Sequence, residues 1–557
     1  MLALLCPAFL CAQDQTEPQP RPNGPYQIRG KVVNGLTGQG IAEVRLSVSE
    51  GAQPSGGPFE QIETGPDGSF RFDHLAEGKY SVQAARQGYA PQAYLQHENF
   101  WTGIAVGAAK DSQHLRFKIF PSATMTGQVL DENSEPVRGA SAVLLRRELN
   151  EGSLRGAVAS VQQTNDEGRY RFDHLPAGKY TVSVTATPWY SRYAAQSGTM
   201  GNLARLPVAG RQLNARSGIN FAADGGQEQL PDLVYPVLFY SGVRDENDAE
   251  WLTLRPGETA AADFHLQPMP SLHVQVFMGE TDPERPPSIS LIRSEEGQQV
   301  GVDLRTVSPG VMEASGLLPG RYHLVVQETE GETSKMREQE VDLAENTRVE
   351  LASINSSGLS VRGEFHTEAA SPGGAGIWLQ LKTSDGRAYD AHLQSSGTTS
   401  RFEFAPLPQE AGTYRLLVIN PPGATVKTLT ATGAKVSGLK LQLDGTQNVQ
   451  LSVTAVQDNL AIQGMALKEG QPFAGAMILL LPENHEDWAQ FARRDQSDSD
   501  GTFRIAGMAA GNYTLLALEN GWELEWAKPE VMKPYLEKGL PLQLTKAPQK
   551  PAHIEVQ

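Results

Sequence analysis

Two short stretches of the sequence begin like the zinc-peptidase motif H-E-x-x-H, in which two histidines on one helical face bind the metal and the glutamate acts as a base. They are HENF at 97–100 and HEDWA at 485–489. The second histidine of the motif would stand at positions that Trp101 and Ala489 occupy. Neither motif is complete, and the sequence has no nucleophile elbow, phosphate-binding loop or dinucleotide fingerprint. We therefore predict no catalytic residue, no metal ligand and no cofactor.

A third stretch, SDSDG at 497–501, is a candidate for a calcium-binding loop. When its glycine is set at the sixth position of an EF-hand loop, Asp498 and Asp500 fall on ligand positions. The first and twelfth positions are then Gln496 and Gly507, so two essential oxygen donors are missing. Asp and Gly are also the residues that tight turns require, and an ordinary β-turn is the favoured interpretation.

Aromatic clusters are the best candidates for a binding site. Each follows a conspicuous tyrosine-containing strand and precedes the last strand of its repeat, a position typical of the loops that carry binding sites. The candidate ligand-binding residues are Tyr94, Trp101, Trp189, Tyr190, Tyr193, Tyr235, Tyr240 and Trp251. Their rings could stack on sugars or on a bound peptide. The alternative, that they cover a sheet edge or an interdomain joint, is favoured.

These candidates must be positioned by a repeated β-structure. TGPDGSFRFDHLAEGKYSV at 64–82 returns as TNDEGRYRFDHLPAGKYTV at 164–182. In each copy a glycine turn leads to alternating aromatic residues, which is typical of a half-buried strand. The tyrosine after the following corner, Tyr80 or Tyr180, can bury its ring while its hydroxyl bonds backbone upstream, as in the tyrosine corner of β-sandwiches.

Weaker copies at 312–326, 401–418 and 497–518 bring the number of repeats to five. Helical periodicity is nearly absent, and 483–495 is the best short helix candidate. We predict an all-β chain, a tandem array of small Greek-key β-sandwiches that we call units 1 to 5. The predicted boundaries are a signal peptide at 1–12, a Pro-rich linker at 13–26, unit 1 at 27–121, unit 2 with a long loop insertion at 122–268, degenerate units 3 and 4 at 269–354 and 355–455, unit 5 at 456–547 and a tail at 548–557.

The pattern G-x-V-x-[DN]…P-x-x-G-A followed by T-x-[DE]-G-x-[FY]-x-F-x-x-L-P-x-G-x-Y resembles the carboxypeptidase regulatory-like domain, a transthyretin-like (prealbumin-type) sandwich. The resemblance is strong over 26–185, good over 459–520 and degraded between 270 and 455. It implies a seven-stranded Greek-key fold, similar also to starch-binding-like domains of the carbohydrate-binding-like fold, and an exported bacterial repeat protein. It does not imply peptidase activity, because the domain is an accessory beside a separate catalytic domain.

Composition restricts the location and the partners. The chain of 557 residues has a net charge of −17 and no basic run, which argues against nucleic-acid binding. The apolar start from Leu2 to Ala12 resembles a secretory signal, and both cysteines, Cys6 and Cys11, lie within it. No later run is apolar enough to span a membrane. We expect an extracytoplasmic protein, periplasmic, secreted or at the cell surface, without disulfides.

Together these features predict a non-catalytic exported scaffold that presents loops to a surface partner. One alternative is polysaccharide binding through the loop aromatics of units 1 and 2. A second is an accessory part of a peptidase or glycan-degrading system. The expected partner is thus a polysaccharide or a cell-envelope protein.

Overall fold

The computed structural model describes most of the chain from Asn23 to its last residue. The described ranges are 23–52, 57–108, 110, 112–191, 231–279, 287–295, 298–302, 304–330, 333–351, 359–367, 378–383, 387–396, 398–404, 407, 411–420, 424–457, 460–485, 488–545 and 550–557. The predicted signal peptide, most of the linker and most of the loop insertion of unit 2 lie outside them.

Unit 1 places two sheets around one core. Its strands are β1 Tyr26–Asn34, β2 Arg45–Glu50, β3 Glu60–Glu63, β4 Ser69–Leu75, β5 Gly78–Ala85, β6 Gln92–Ala93, β7 Ile104–Val106 and β8 Leu115–Ile119. One sheet has the order β4-β1-β8, and the other has the order β3-β2-β5-β6 with β7 also on β5. Alternate residues such as Phe72, Val82 and Phe117 are buried between the sheets, as the period of two predicts.

Unit 2 repeats this arrangement with a longer hairpin. Its strands are β9 Ala123–Leu130, β10 Ser141–Asn150, β11 Ser153–Gln163, β12 Arg169–Leu175, β13 Gly178–Thr185, β14 Leu233–Val234, β15 Leu238–Phe239, β16 Leu252–Leu254, β17 Thr259–Ala261 and β18 Phe264–His265. β12, β9 and β17 form one sheet, with β18 also paired to β9, while β11-β10-β13-β15 form the other with β16 on β13. A separate core lies between them.

Units 3 and 4 differ in how their sheets close. Unit 3 has β19 Met269–Pro270, β20 Leu272–Phe277, β21 Ser288–Glu295, β22 Gln298–Val302, β23 Arg305–Ser308, β24 Val311–Leu317, β25 Gly320–Glu330, β26 Thr333–Leu343 and β27 Thr347–Glu350. Unit 4 has β28 Val361–Thr367, β29 Trp378–Thr383, β30 Ala388–Ser396, β31 Thr399–Phe404, β32 Gly412–Asn420, β33 Ala424–Thr432, β34 Lys435–Ser437, β35 Lys440–Leu443 and β36 Val449–Gln457. Unit 3 has two four-stranded sheets, whereas β30 pairs with β31 in unit 4 and joins all nine strands into one sheet. Each unit again has its own core.

Unit 5 adds the only α-helices of the described residues. Its strands are β37 Leu460–Lys468, β38 Gln471–Pro472, β39 Met477–Pro482, β40 Arg493–Gln496, β41 Thr502–Met508, β42 Gly511–Leu518, β43 Leu540–Leu544 and β44 Ala552–Glu555. α1 Trp488–Phe491 occupies only the middle of the helix predicted at 483–495, and β40 follows it. α2 Pro529–Leu536 has no counterpart in the sequence prediction. β44 pairs with β37, so part of the predicted tail belongs to the last sheet.

Among the residues that the structure describes, the predicted tyrosine corner is seen in four units. The ring of Tyr180 is fully buried, and its hydroxyl donates to the Pro176 carbonyl at 2.8 Å. The equivalent hydrogen bonds join Tyr80 to Ala76 at 2.9 Å, Tyr322 to Leu318 at 2.8 Å and Tyr513 to Ala509 at 3.1 Å. The all-β prediction is confirmed, and no helix in the described ranges is long and apolar enough to cross a membrane.

A close approach recurs where the last strand of a unit pairs in parallel with its first. A Cβ atom on Gly127 in β9 would overlap the Ala262 carbonyl oxygen. Gly30, Gly363 and Gly464 stand in the same relation to the carbonyls of Leu115, Leu451 and Ala552. The repeated glycine of the first strand therefore has a steric reason, since only hydrogen fits between the two backbones.

Candidate functional site

Of the candidate residues that the structure describes, Trp189 is the most accessible, and it lies in a turn that follows β13 of unit 2. The backbone N–H of Ser191 donates to the Pro188 carbonyl at 3.0 Å and closes this turn. Trp189 is 77% exposed, whereas most large apolar side chains of the unit are buried. Its ring meets the Tyr190 ring edge-on, with centroids 5.6 Å apart and planes at 87°. Trp189 thus presents an aromatic face to solvent, while the hydrogen-bonded turn and the Tyr190 ring hold its position.

Glu132 holds two of the predicted tyrosines together. Tyr190 donates a short hydrogen bond to Glu132 Oε1, and Tyr235 donates to Glu132 Oε2 at 2.9 Å. Glu132 lies in the turn after β9, where Asp131 Oδ1 accepts from the N–H groups of Asn133 at 2.9 Å and Glu135 at 2.8 Å. We call Glu132, Trp189, Tyr190 and Tyr235 the Trp189 patch.

The ionisation of the Trp189 patch follows from these contacts. Burial raises the pKa of Glu132, but hydrogen bonds from the Tyr190 phenol, from the backbone of Glu132 itself and from the Tyr235 phenol together outweigh it, and the net pKa is lowered. Burial and the hydrogen bonds to Glu132 raise the pKa values of Tyr190 and Tyr235. At neutral pH the patch therefore holds one carboxylate and two protonated phenols beside an exposed indole, a combination that suits stacking and hydroxyl recognition.

The other predicted aromatics of unit 2 lie elsewhere. Tyr240 packs against the core, with its ring 6.2 Å from that of Phe264. Trp251 lies under the guanidinium of Arg147, 5.5 Å from the ring centroid. Tyr193 lies outside the described residues. The structure thus brings together three of the six residues predicted for this unit.

The aromatics of unit 1 have structural partners. Tyr94 meets Phe117 edge-on at 5.5 Å, against the core of the unit. The indole nitrogen of Trp101 donates to the Ala52 carbonyl at 2.6 Å. Both side chains are half-buried, and neither belongs to the Trp189 patch.

The histidines of the incomplete zinc motifs also have packing partners. His97 stacks on Trp522, with centroids 4.9 Å apart and planes at 1°. Burial lowers the pKa of His97, so the ring is neutral at pH 7. His485 meets Trp488 edge-on at 6.4 Å. Within the described part of the chain, no group of three or more His, Cys, Asp or Glu side chains could hold a metal ion.

The turn predicted at SDSDG is confirmed, but its aspartates do more than close it. The N–H of Gly501 donates to the Asp498 carbonyl at 2.8 Å, and Gly501 has a φ of 76°, as a tight turn requires. The side chain of Asp498 reaches Lys79 and the backbone of Gly103 in unit 1. The sequence contains no signal for these partners, which lie about four hundred residues away.

Sequence reasoning also missed Glu132, the residue that organises the Trp189 patch. It stands in DENSEP, a stretch interpreted only as a turn. A carboxylate in a turn gives no indication of its partners when those partners lie 58 and 103 residues further along the chain.

Comparisons with known proteins find distant structural likenesses and one family match. No curated protein matches the chain. The Streptococcal ancillary pilin is 13% identical over 51% of this chain and 98% of its own, with a TM-score of 0.20. The Bacillus anthracis TIE protein is 12% identical over 77% of this chain and 72% of its own, with a TM-score of 0.17. The minor pilin GBS52 of Streptococcus agalactiae is 11% identical over 44% of this chain and 97% of its own, with a TM-score of 0.20.

Likenesses this distant say nothing about function, but the first two units match a described family directly. Residues 27–118 and 124–206 each match the family model of the carboxypeptidase regulatory-like domain. These ranges fall on units 1 and 2, whose sheets and tyrosine corners repeat one another. The chain therefore carries two tandem copies of the carboxypeptidase regulatory-like domain.

Proposed function

We propose that the chain is a non-catalytic, exported scaffold whose sandwiches present loops to a partner at the cell surface. The observation that carries this proposal is the division of the chain into units with separate cores, each closed by its own strands. The apolar segment at 2–12 supports export. His97, Asp498 and Asp500, which the sequence singled out, contact other protein groups, and these contacts support a structural role for them.

A direct test is a turnover assay of the purified full chain with casein, a p-nitrophenyl ester and soluble polysaccharides. We expect no product above the buffer blank. Heat-labile hydrolysis that is lost on substitution of one carboxylate would overturn the non-catalytic assignment. Export is tested separately by N-terminal sequencing of the protein recovered from a bacterial periplasm or medium, where cleavage after Ala12 is expected to leave Gln13 first.

The partner that we propose for the Trp189 patch is a polysaccharide. The supporting observation is the exposure of Trp189 beside an ionised carboxylate and two phenols. A sugar ring can lie on the indole, while Glu132 and the phenols hydrogen-bond its hydroxyl groups. The scaffold proposal does not depend on this ligand, since a protein partner could use the same exposed ring.

Affinity electrophoresis tests the ligand. The full chain is run through gels containing starch, cellulose, xylan or peptidoglycan, beside Trp189→Ala and the matched variant Trp378→Ala. Trp378 is a tryptophan of unit 4 that is 52% exposed and lies outside the patch. We expect retardation by at least one polymer, its loss in Trp189→Ala and its retention in Trp378→Ala. Equal retardation of all three proteins, or none in any gel, would remove polysaccharide binding at the patch.

A further inference from the structure

Unit 5 contacts unit 1, although the two are separated by more than three hundred residues. The contact joins the turn Ser497–Gly501 to the segment 94–106 of unit 1. The N–H of Ser499 donates to the Gly103 carbonyl at 2.9 Å, and the N–H of Gly103 donates to Asp498 Oδ1 at 2.8 Å. The N–H of Ala105 donates to Ser499 Oγ at 2.8 Å. Backbone groups of unit 1 are therefore satisfied by the last unit of the chain.

Three ion pairs surround this backbone contact. Lys79 of unit 1 pairs with Asp498 and donates to Thr502 Oγ1 at 2.8 Å, and Lys110 pairs with Asp500. On the other side, Arg494 Nη1 lies 3.0 Å from Glu98 Oε2, with side chains only 15% and 19% exposed. Charges withdrawn from water need a partner, and here each partner belongs to the other unit.

A buried amide gives the contact its specificity. Gln496 is 2% exposed, and its Nε2 donates to the Leu95 carbonyl at 2.7 Å and to Thr102 Oγ1 at 2.8 Å. Its Oε1 lies 3.0 Å from Nδ1 of His97, which acts as the donor. All three partners belong to unit 1, so separation of the units would remove every one of these bonds at once.

An apolar cluster completes the contact and includes unit 2. Trp522 of unit 5 stacks on His97 and lies 5.4 Å from the ring of Phe100. The same cluster contains Leu149 from the long hairpin of unit 2, together with Trp526. The N–H of Ala527 donates to the carbonyl of Gly152 in that hairpin at 3.1 Å. An apolar centre bordered by hydrogen bonds and ion pairs is the anatomy of a specific protein interface.

We propose that unit 5 is an intramolecular clasp, which binds the 94–106 segment of unit 1 and the β10–β11 hairpin of unit 2 and holds the two ends of the chain together. The surface of unit 1 that carries His97 and Phe100 thus has unit 5 of the same chain as its partner. Because units 1 and 5 belong to one chain, the contact between them forms independently of protein concentration, whereas pairing between chains does not.

Engineered cysteines test the clasp in the full chain, after Cys6→Ser and Cys11→Ser remove the native thiols. A Cβ atom on Gly475 of unit 5 would lie 4.0 Å from Leu95 Cβ, within the 3.5–4.5 Å range of disulfides. Leu95→Cys with Gly475→Cys is expected to form a disulfide within the monomer. The control pair, Leu36→Cys with Gly475→Cys, keeps the strain at Gly475 but moves the first thiol to an exposed turn of unit 1.

The expected result is a monomer of altered mobility on non-reducing gels, formed at least about tenfold faster than in the control pair. Equal rates for both pairs, or a disulfide that forms only between chains and increases with protein concentration, would overturn the proposal. Hydrogen exchange gives a second readout that needs no cysteine. Trp522→Ala is expected to lower protection at 94–106 about tenfold and to leave β4 unchanged, while retained protection in β41 verifies that unit 5 is folded. Unchanged protection at 94–106 would also contradict a clasp.

Discussion

Gly127→Ala is the sharpest test of the way in which each unit closes. Gly127 lies in β9 opposite Tyr170, and the added Cβ would overlap the Ala262 carbonyl oxygen and the Tyr170 ring. The φ of Gly127 is not in the left-handed region, so alanine suffers no backbone strain there. The destabilisation therefore comes from the missing space between β9, β12 and the returning strand.

The expected loss of stability in Gly127→Ala is the sum of three contributions. Overpacking of this kind costs about 1–3 kcal/mol. Displacing Ala262 also weakens the hydrogen bond that Tyr170 donates to its carbonyl at 2.5 Å, which contributes roughly 1 kcal/mol. The lower entropy of alanine in the unfolded chain offsets about 0.4–1 kcal/mol. We expect a net loss of about 2–3 kcal/mol for unit 2.

Hydrogen exchange of the full chain measures this loss locally, which avoids a global fit to a chain of several units. Protection of β9 is expected to fall roughly 30-fold to 150-fold, because about 1.4 kcal/mol corresponds to a factor of ten. Gly139→Ala is the control, since its Cβ would meet nothing within 4 Å and its φ of 71° costs about 1–2 kcal/mol. Protection of β9 in Gly127→Ala that equals the wild type, or exceeds that of Gly139→Ala, would refute the steric argument.

Two further substitutions test the corner and the burial of charge. Tyr180→Phe removes the hydrogen bond to Pro176 and is expected to destabilise unit 2 by about 1 kcal/mol, measured by hydrogen exchange of β13; no change would mean that the corner is held by the ring alone. Burial raises the pKa of Asp495 to about 6, from about 3.8 in the unfolded chain. The protonated carboxyl group therefore contributes stability to unit 5 that is fully present below pH 3.8 and is lost as the pH rises through 6. Asp495→Asn should reduce that decline in stability between pH 4 and pH 7, measured by hydrogen exchange of β41. A smaller decline with rising pH remains in the variant, because burial also raises the pKa of Asp498. A decline as steep as that of the wild type would contradict the assignment.

The strands and corners were predictable from the sequence because their causes are local. Alternating apolar residues in RFDHL and the tyrosine four residues after the corner carbonyl act within a few positions of one another, and the structure has β4, β12 and the Tyr80 and Tyr180 hydrogen bonds where the repeat predicts them. α2 escaped prediction because it is short and contains Pro534, and its residue Met532 is buried in the cluster shared with Trp522. A helix of this length depends on tertiary packing rather than on propensity.

The aromatic candidates show what only the tertiary structure decided. The sequence alone determined that Trp101 and Trp189 follow equivalent strands in two copies of one domain, and it offered the same two interpretations for both. In the structure Trp189 is 77% exposed, while Trp101 donates to Ala52 beside the segment that unit 5 covers. Whether a ring faces solvent or a protein partner depends on residues far from it along the chain, such as Ala52 for Trp101, and local pattern carries no information about such contacts.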